Sequence, residues 1–227
     1  MEQHIIKIKS VDNVTHDVLG FKTEKPANFN FIHGQASRIS INKEGWEKKK
    51  RSFTFTSLPE EDYLEFVIKT YPSHEGVTNE LLTLKAGDEF ILHEVWGAIA
   101  YKGEGLFIAG GAGVTPFISI FRHLRAKNEL TNNKLIFANK TAADIIYNYE
   151  FKDMLGQNFI NILSQEKVAD FDHGLISEEF LKKHGVNNHE YVYLCGPKPM
   201  MDSIEEQLRN LNVKQEAIIK EVFNTAL

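Results

Sequence analysis

At 227 residues and 25.9 kDa the chain suffices for one large domain or two of about 100–125 residues. Its 42% hydrophobic and 25% charged residues are ordinary for a soluble globular protein. The net charge of −5 argues against a nucleic-acid partner, which needs a basic face. The single cysteine, Cys195, excludes an internal disulfide and an iron–sulfur cluster held by about four thiolates, and it suits a reducing compartment. Nine histidines are scattered without HExxH or paired Cys/His spacing, so the expected metal content is none. The opening MEQHIIKIKS alternates and carries an early Glu, unlike a signal peptide. The longest uncharged run, 105–121, contains glycines and a proline, so a buried strand–turn–helix explains it better than a membrane span. A soluble, cytoplasmic protein is expected.

In chain order, residues 1–101 predict short alternating strands at 3–9, 15–24, 35–41, 51–57, 63–70 and 88–95, with one helix near 77–84. Breaks fall at Pro26, Gly45, Pro59, Pro72 and Gly87. Strands at this density predict a small antiparallel β-barrel. From 105 the texture changes. Strands LFIA, KLIFA, FINIL, YVYLC and AIIKEV alternate with helical patterns at 116–127, 143–155, 177–184 and 199–211. That alternation predicts an α/β domain, a parallel sheet with helices on both faces. The turn KGEG at 102–105 marks the boundary, giving two domains, 1–102 and 103–227.

Two glycine turns each follow an apolar strand: GLFIAGGAGVTPF at 105–117 and YVYLCGPKPMM at 191–201. Glycine lets backbone approach a ligand closely, and a helix start offers unpaired N–H groups and a positive dipole end. Thr115 reads as an N-cap and Pro116 as the first helical residue. Such turns at strand ends of one sheet make a nucleotide cleft. Upstream are HGQA at 33–36, RSFTFTS at 51–57 and GVTNELL at 76–82; downstream is EVF at 221–223. This set of motifs, in this order, resembles the ferredoxin–NADP reductase superfamily across nearly all of residues 1–223. Three departures stand out. His33 replaces a proline, the 76–82 turn is one residue short, and EVWG at 94–97 replaces Gly-Pro-x-Gly. Trp96 is expected to pack between the domains.

The resemblance implies FAD on the barrel and NADH or NADPH on the second domain. Arg51 would bind the flavin pyrophosphate, to which a guanidinium is matched; the plainer reading is a solvated hairpin, KEGWEKKKR. Ser52 lies in the same signature, Phe53 would stack on the isoalloxazine, and Thr54 would donate to its reactive nitrogen. Gly76, Val77 and Thr78 would hold a second phosphate, or Thr78 simply caps a helix at 79–84. Ile68, Lys69 and Tyr71 match positions that touch FAD, mostly by backbone. Gly111, Gly113, Thr115 and Pro116 would face the nicotinamide, together with Cys195, Gly196, Pro197 and Met200. The thiol's role is positional, and the helix start after it is expected to lower its pKa somewhat. Glu221 and Phe223 would close the site, or form only a last strand. Asn139, Lys140, Thr141 and Asp144 would meet the adenosine ribose. A carboxylate at Asp144 would accept from ribose hydroxyls and repel a 2′-phosphate, which slightly favours NADH, whereas Lys140 could pair with that phosphate and Thr141-x-x-Asp144 also reads as a capping box. Thr54, Thr115, Cys195 and Glu221 are the expected catalytic group.

The implied activity is reduction of FAD by hydride from NAD(P)H, followed by single-electron transfer to a separate carrier such as ferredoxin, flavodoxin or a cytochrome. Lys48, Lys49 and Lys50 would dock that small carrier protein, whereas the plainer reading is a solvated turn that they share with Glu44 and Glu47. The alternatives are a flavin reductase releasing reduced flavin, and a non-catalytic flavin-binding regulatory subunit.

Overall fold

The structure, a computed structural model, describes residues 3–73, 75–97 and 99–223. Six antiparallel strands make the first sheet: β1 (His4–Thr15), β2 (Val18–Glu24), β3 (Ala36–Ile41), β4 (Arg51–Thr54), β5 (Tyr63–Lys69) and β6 (Glu89–Trp96). Their order is β4-β3-β6-β1-β2-β5, and a bridge between Phe55 and Phe66 joins the two outer strands. The sheet therefore closes into a barrel, which removes both edges. Alternating side chains fill it, among them Ile6, Ile8, Phe21, Phe55, Phe66 and Phe90. A short helix, α1 (Val77–Glu80), and a 3-10 turn at Leu81–Thr83 cover it.

Three strands differ from expectation, and the simplest case is β2, which starts at Val18 rather than residue 15 because Thr15 ends β1 and a turn at 16–17 intervenes. β1 runs to Thr15 rather than stopping at residue 9, because Ser10 to Asn13 continue the ladder opposite Leu19 to Lys22. Backbone pairing overrides the polar Ser10, Asp12 and Asn13, while Val11 packs on the barrel core. β4 ends at Thr54 rather than 57, since Thr56 and Ser57 turn toward Glu65. The Thr56 hydroxyl donates to Glu65 Oε2 at 2.8 Å, and Ser57 Oγ accepts from Glu65 N at 3.0 Å.

The second sheet is parallel, in the order β10-β9-β8-β7-β11-β12. Its strands are β7 (Gly105–Gly110), β8 (Lys134–Asn139), β9 (Phe159–Leu163), β10 (Asp172–His173), β11 (Tyr191–Pro197) and β12 (Ile218–Phe223). One face carries Phe107, Phe137 and Tyr193 against α2 (Thr115–Ala126) and α3 (Asn148–Leu155). The other carries Leu106, Ile108 and Leu194 against α4 (Glu178–Lys183) and α5 (Lys198–Asn210). The short β10 was not foreseen. The helix expected from 143 begins only at Asn148, since Tyr147 adopts a left-handed φ of 50° and Ile145 and Ile146 are drawn into the core.

The sheets meet across a shared apolar cluster in which Val18, Val67 and Ile99 join Val114, Phe117 and Phe121. Arg122 on α2 crosses the junction: it donates to Thr56 O at 2.9 Å, pairs with Glu65 on β5, and pairs with Glu150 on α3 at 2.6 Å. Its guanidinium lies over the Tyr147 ring. Gly34 N donates to Ser119 Oγ at 3.2 Å, and the His33 and His123 rings lie 3.9 Å apart. Burial, reinforced by His123, holds the His33 pKa down at about 4. The connector at 101–104 is fastened by Tyr193, whose hydroxyl accepts from Lys102 N and Gly103 N and donates to Gly103 O. Trp96, expected between the domains, is 39% exposed at the end of β6.

Candidate active site

The order in which strands are added to the parallel sheet reverses between β7 and β11, the place where open α/β sheets bind ligands. Both glycine turns lie there. A 3-10 turn at Gly111–Val114 leads from β7 into α2, and Pro197 caps the start of α5. The turns are nested by their glycines. A Cβ on Gly113 would stand 2.3 Å from Cys195 O, and one on Gly110 would stand 2.4 Å from Met200 Sδ. Gly111, at φ +50°, has nothing within 4 Å in the Cβ direction and opens on the cleft. Thr115 is not the N-cap. Val114 holds that position, Thr115 is the first helical residue, and its hydroxyl donates to Ala112 O at 3.0 Å. The helical start of the 3-10 turn displaces the cap upstream of the Thr-Pro pair.

A cleft of about 540 Å³ opens beside these turns, a size suited to a cofactor-scale ligand. It gathers Lys69, Tyr71, Gly111, Gly113, Asn139, Lys140, Asp144, Gly196, Pro197 and Met200. Lys69 and Tyr71, read as flavin positions, thus line the same cleft as the nucleotide turns. Asn139 ends β8 with both side-chain amide atoms buried and lacking hydrogen-bond partners. An orphaned buried amide is costly unless a ligand completes it, so the cleft fits a polar nucleotide.

Asp144 closes a capping box. Its Oδ2 accepts from Thr141 N at 2.8 Å and from Thr141 Oγ1 at 2.7 Å, while Oδ1 lies 3.8 Å from His16. Burial alone would raise its pKa, but these hydrogen bonds outweigh burial and lower it. The capping and ligand-facing readings hold together, because the capped turn forms part of the cleft wall. Ser164, Leu175, Ile176 and Ser203 also line the cleft and were missed. Ser164 follows the end of β9, so the strand-end rule would have found it; Leu175, 80% exposed, carries no sequence signal.

Cys195 is fully buried on β11, next in register to Ala109 on one side and Glu221 on the other. Its thiol pKa is raised, by burial first and by Glu221 second, and not lowered as expected. The thiol is therefore neutral and fills space. Glu221 is buried beside it at 8% exposure. The Phe223 side chain lies outside the described residues.

On the barrel, Arg51 is exposed at the start of β4 and donates to Lys50 O at 2.9 Å. Phe53 leans on the barrel cluster, while Ser52 and the buried Thr54 alternate with it. Gly76, not Thr78, is the N-cap of α1 and has open space where a Cβ would stand. The Ile68 and Val77 side chains belong to the barrel core, at 3% and 2% exposure, so only their backbones are available to a ligand. A guanidinium, two hydroxyls and the N–H groups at a glycine-started turn form a donor set that fits a flavin diphosphate.

Residues 107–206 match the family model described as the oxidoreductase NAD-binding domain. The reductase component of a propane 2-monooxygenase from Mycolicibacterium goodii is 29% identical over 240 residues, covering 97% of this chain and 68% of that one. The chain spans 61–68% of three such components. A ferredoxin NADP+ reductase from Neisseria gonorrhoeae, solved with FAD and NADP bound, superposes with a TM-score of 0.84 at 18% identity, covering 98% of this chain and 99% of that one. The cytochrome b5 reductase domain of Ulva prolifera nitrate reductase superposes with a TM-score of 0.84 at 20% identity, covering 97% of each. Closed barrel, doubly wound sheet and nested glycine turns thus define a two-domain fold. Over nearly its whole length the chain shares the fold of these two reductases, and residues 107–206 resemble the oxidoreductase NAD-binding domain.

Proposed function

We propose that the protein is an FAD-dependent reductase that takes hydride from NADH or NADPH and passes electrons singly to a separate carrier protein. The observation that carries this reading is the cleft at the sheet's switch point, where two interlocked glycine turns meet the unpartnered Asn139 amide. When bound, FAD supplies the exchange between two-electron and one-electron chemistry. Arg51 and the backbone at Gly76, Val77 and Thr78 hold its phosphates; Phe53 and Thr54 meet its ring. Gly111, Gly113, Thr115 and Pro116 bring the nicotinamide nucleotide against α2, and Gly196, Pro197 and Met200 form the opposite wall. Cys195 keeps water from the reacting face without ionising, and Glu221 orients the groups beside it. Asn139, Lys140, Thr141 and Asp144 receive the adenosine end, where the Asp144 carboxylate favours NADH by repelling a 2′-phosphate. Lys48, Lys49 and Lys50 offer the carrier a positive edge, and the buried free thiol suits a reducing cytoplasm. Among the described residues no helix is long and apolar enough to cross a membrane.

Anaerobic titration of the purified protein with NADH tests the reading. The expected result is a yellow protein with stoichiometric FAD, bleached by one equivalent of NADH and reoxidised by a one-electron acceptor protein. Bound FMN alone, or a flavin that NADH leaves oxidised, overturns it.

A further inference from the structure

We propose that His33, His123 and Glu60 form a Zn²⁺ site that staples the barrel to the nucleotide domain. The three come from separate places: His33 from the loop before β3, Glu60 from the loop before β5, and His123 from the third turn of α2. One ligand atom from each lies within 4.8 Å of the other two. A tetrahedral zinc with bonds of about 2.0–2.1 Å needs ligand atoms roughly 3.3 Å apart, so from separations within 4.8 Å the side chains must close by at most about 1.5 Å. The imidazole planes are tilted by 30° with centroids 3.9 Å apart. Coordination exchanges that stacking for a shared metal by turning one ring about χ2, a soft twofold torsion.

Three observations favour a cation. His33 Nδ1 is buried and has no hydrogen-bond partner, a costly state that a metal bond relieves. Glu60 is exposed and brings negative charge to the pair, leaving a fourth position open to water. Two imidazoles and a carboxylate, without thiolate, are a borderline donor set suited to zinc. Lys127, one helical turn beyond His123, opposes the cation and lowers its affinity without blocking access. The other histidine–carboxylate group, His16 with Asp17 and Asp144, is already committed. Asp17 pairs with Lys69 at 2.5 Å, and Asp144 closes its capping box.

Flavin-loaded protein, stripped with chelator, is titrated with Zn²⁺ against a chromophoric chelator, and its melting temperature is followed in parallel. The expected result is one equivalent bound, with a rise of about 5 °C or more at a hundredfold excess over Kd. His123→Gln should weaken binding at least a hundredfold, Glu60→Gln about tenfold, and His16→Gln should leave it unchanged. Less than half an equivalent bound by the wild type overturns the site, as does wild-type affinity in His123→Gln. Should His123→Gln fail to fold, the exposed Glu60→Gln decides in its place: unchanged affinity there also overturns the site.

Discussion

At the scale of the residue, the site depends on atoms that are absent. Gly113 lies against the Cys195 carbonyl, so Gly113→Ala places a methyl 2.3 Å from backbone that cannot yield. The two turns must then separate. We expect hydride transfer to slow at least tenfold while FAD stays bound, read by stopped-flow reduction with NADH. Gly111→Ala meets no neighbour and pays only for its left-handed φ, about 1–2 kcal/mol. An equal loss in both variants would mean that strain, not nesting, governs the turn. Asp144 tests coenzyme choice. Asp144→Thr removes a carboxylate from the cleft wall, and the ratio of kcat/KM for NADH over NADPH should fall about tenfold, or 1.4 kcal/mol. An unmoved ratio would leave Asp144 as a helix cap only.

Elements carry the next level of the argument. α2 is tied to both domains by Arg122, whose partner Glu65 is 7% exposed. Removing the guanidinium strands that carboxylate, so Arg122→Ala should cost about 3 kcal/mol in urea unfolding. A loss below about 1 kcal/mol would class the pair with surface ion pairs. Most elements were legible because their signals are local: the switch from period-two to helical patterning at Gly105, and glycines closing each apolar strand. What was not legible depends on distant partners. β1 extends through Ser10–Asn13 only because β2 lies opposite, and α3 starts late because Ile145 and Ile146 find a core that no local pattern announces. The cap of α2 was misplaced for a related reason, since Thr-Pro marks a helix start but not the 3-10 turn ahead of it. The two glycine turns and the Thr141–Asp144 capping box were readable locally, whereas the raised pKa of Cys195 follows from burial that only the assembled sheet creates.

For the whole molecule, histidines set the acid limit. His93, His184 and His189 all have pKa values lowered, by burial first in each case. Unfolded, they would titrate near 6.5. Below that pH the unfolded chain binds more protons than the folded one, so stability is full above about 6.5 and declines as the pH falls. The melting temperature should drop between pH 7 and 5, and His93→Gln should flatten the drop; a constant melting temperature would contradict the linkage. The apolar cluster that runs from Val18 and Val67 through Phe117 to Phe121 has a calorimetric consequence. Neither half can melt without stripping cover from the other. Heat should therefore produce one transition whose calorimetric and van't Hoff enthalpies agree, and either half expressed without its neighbour should present that face to solvent and aggregate.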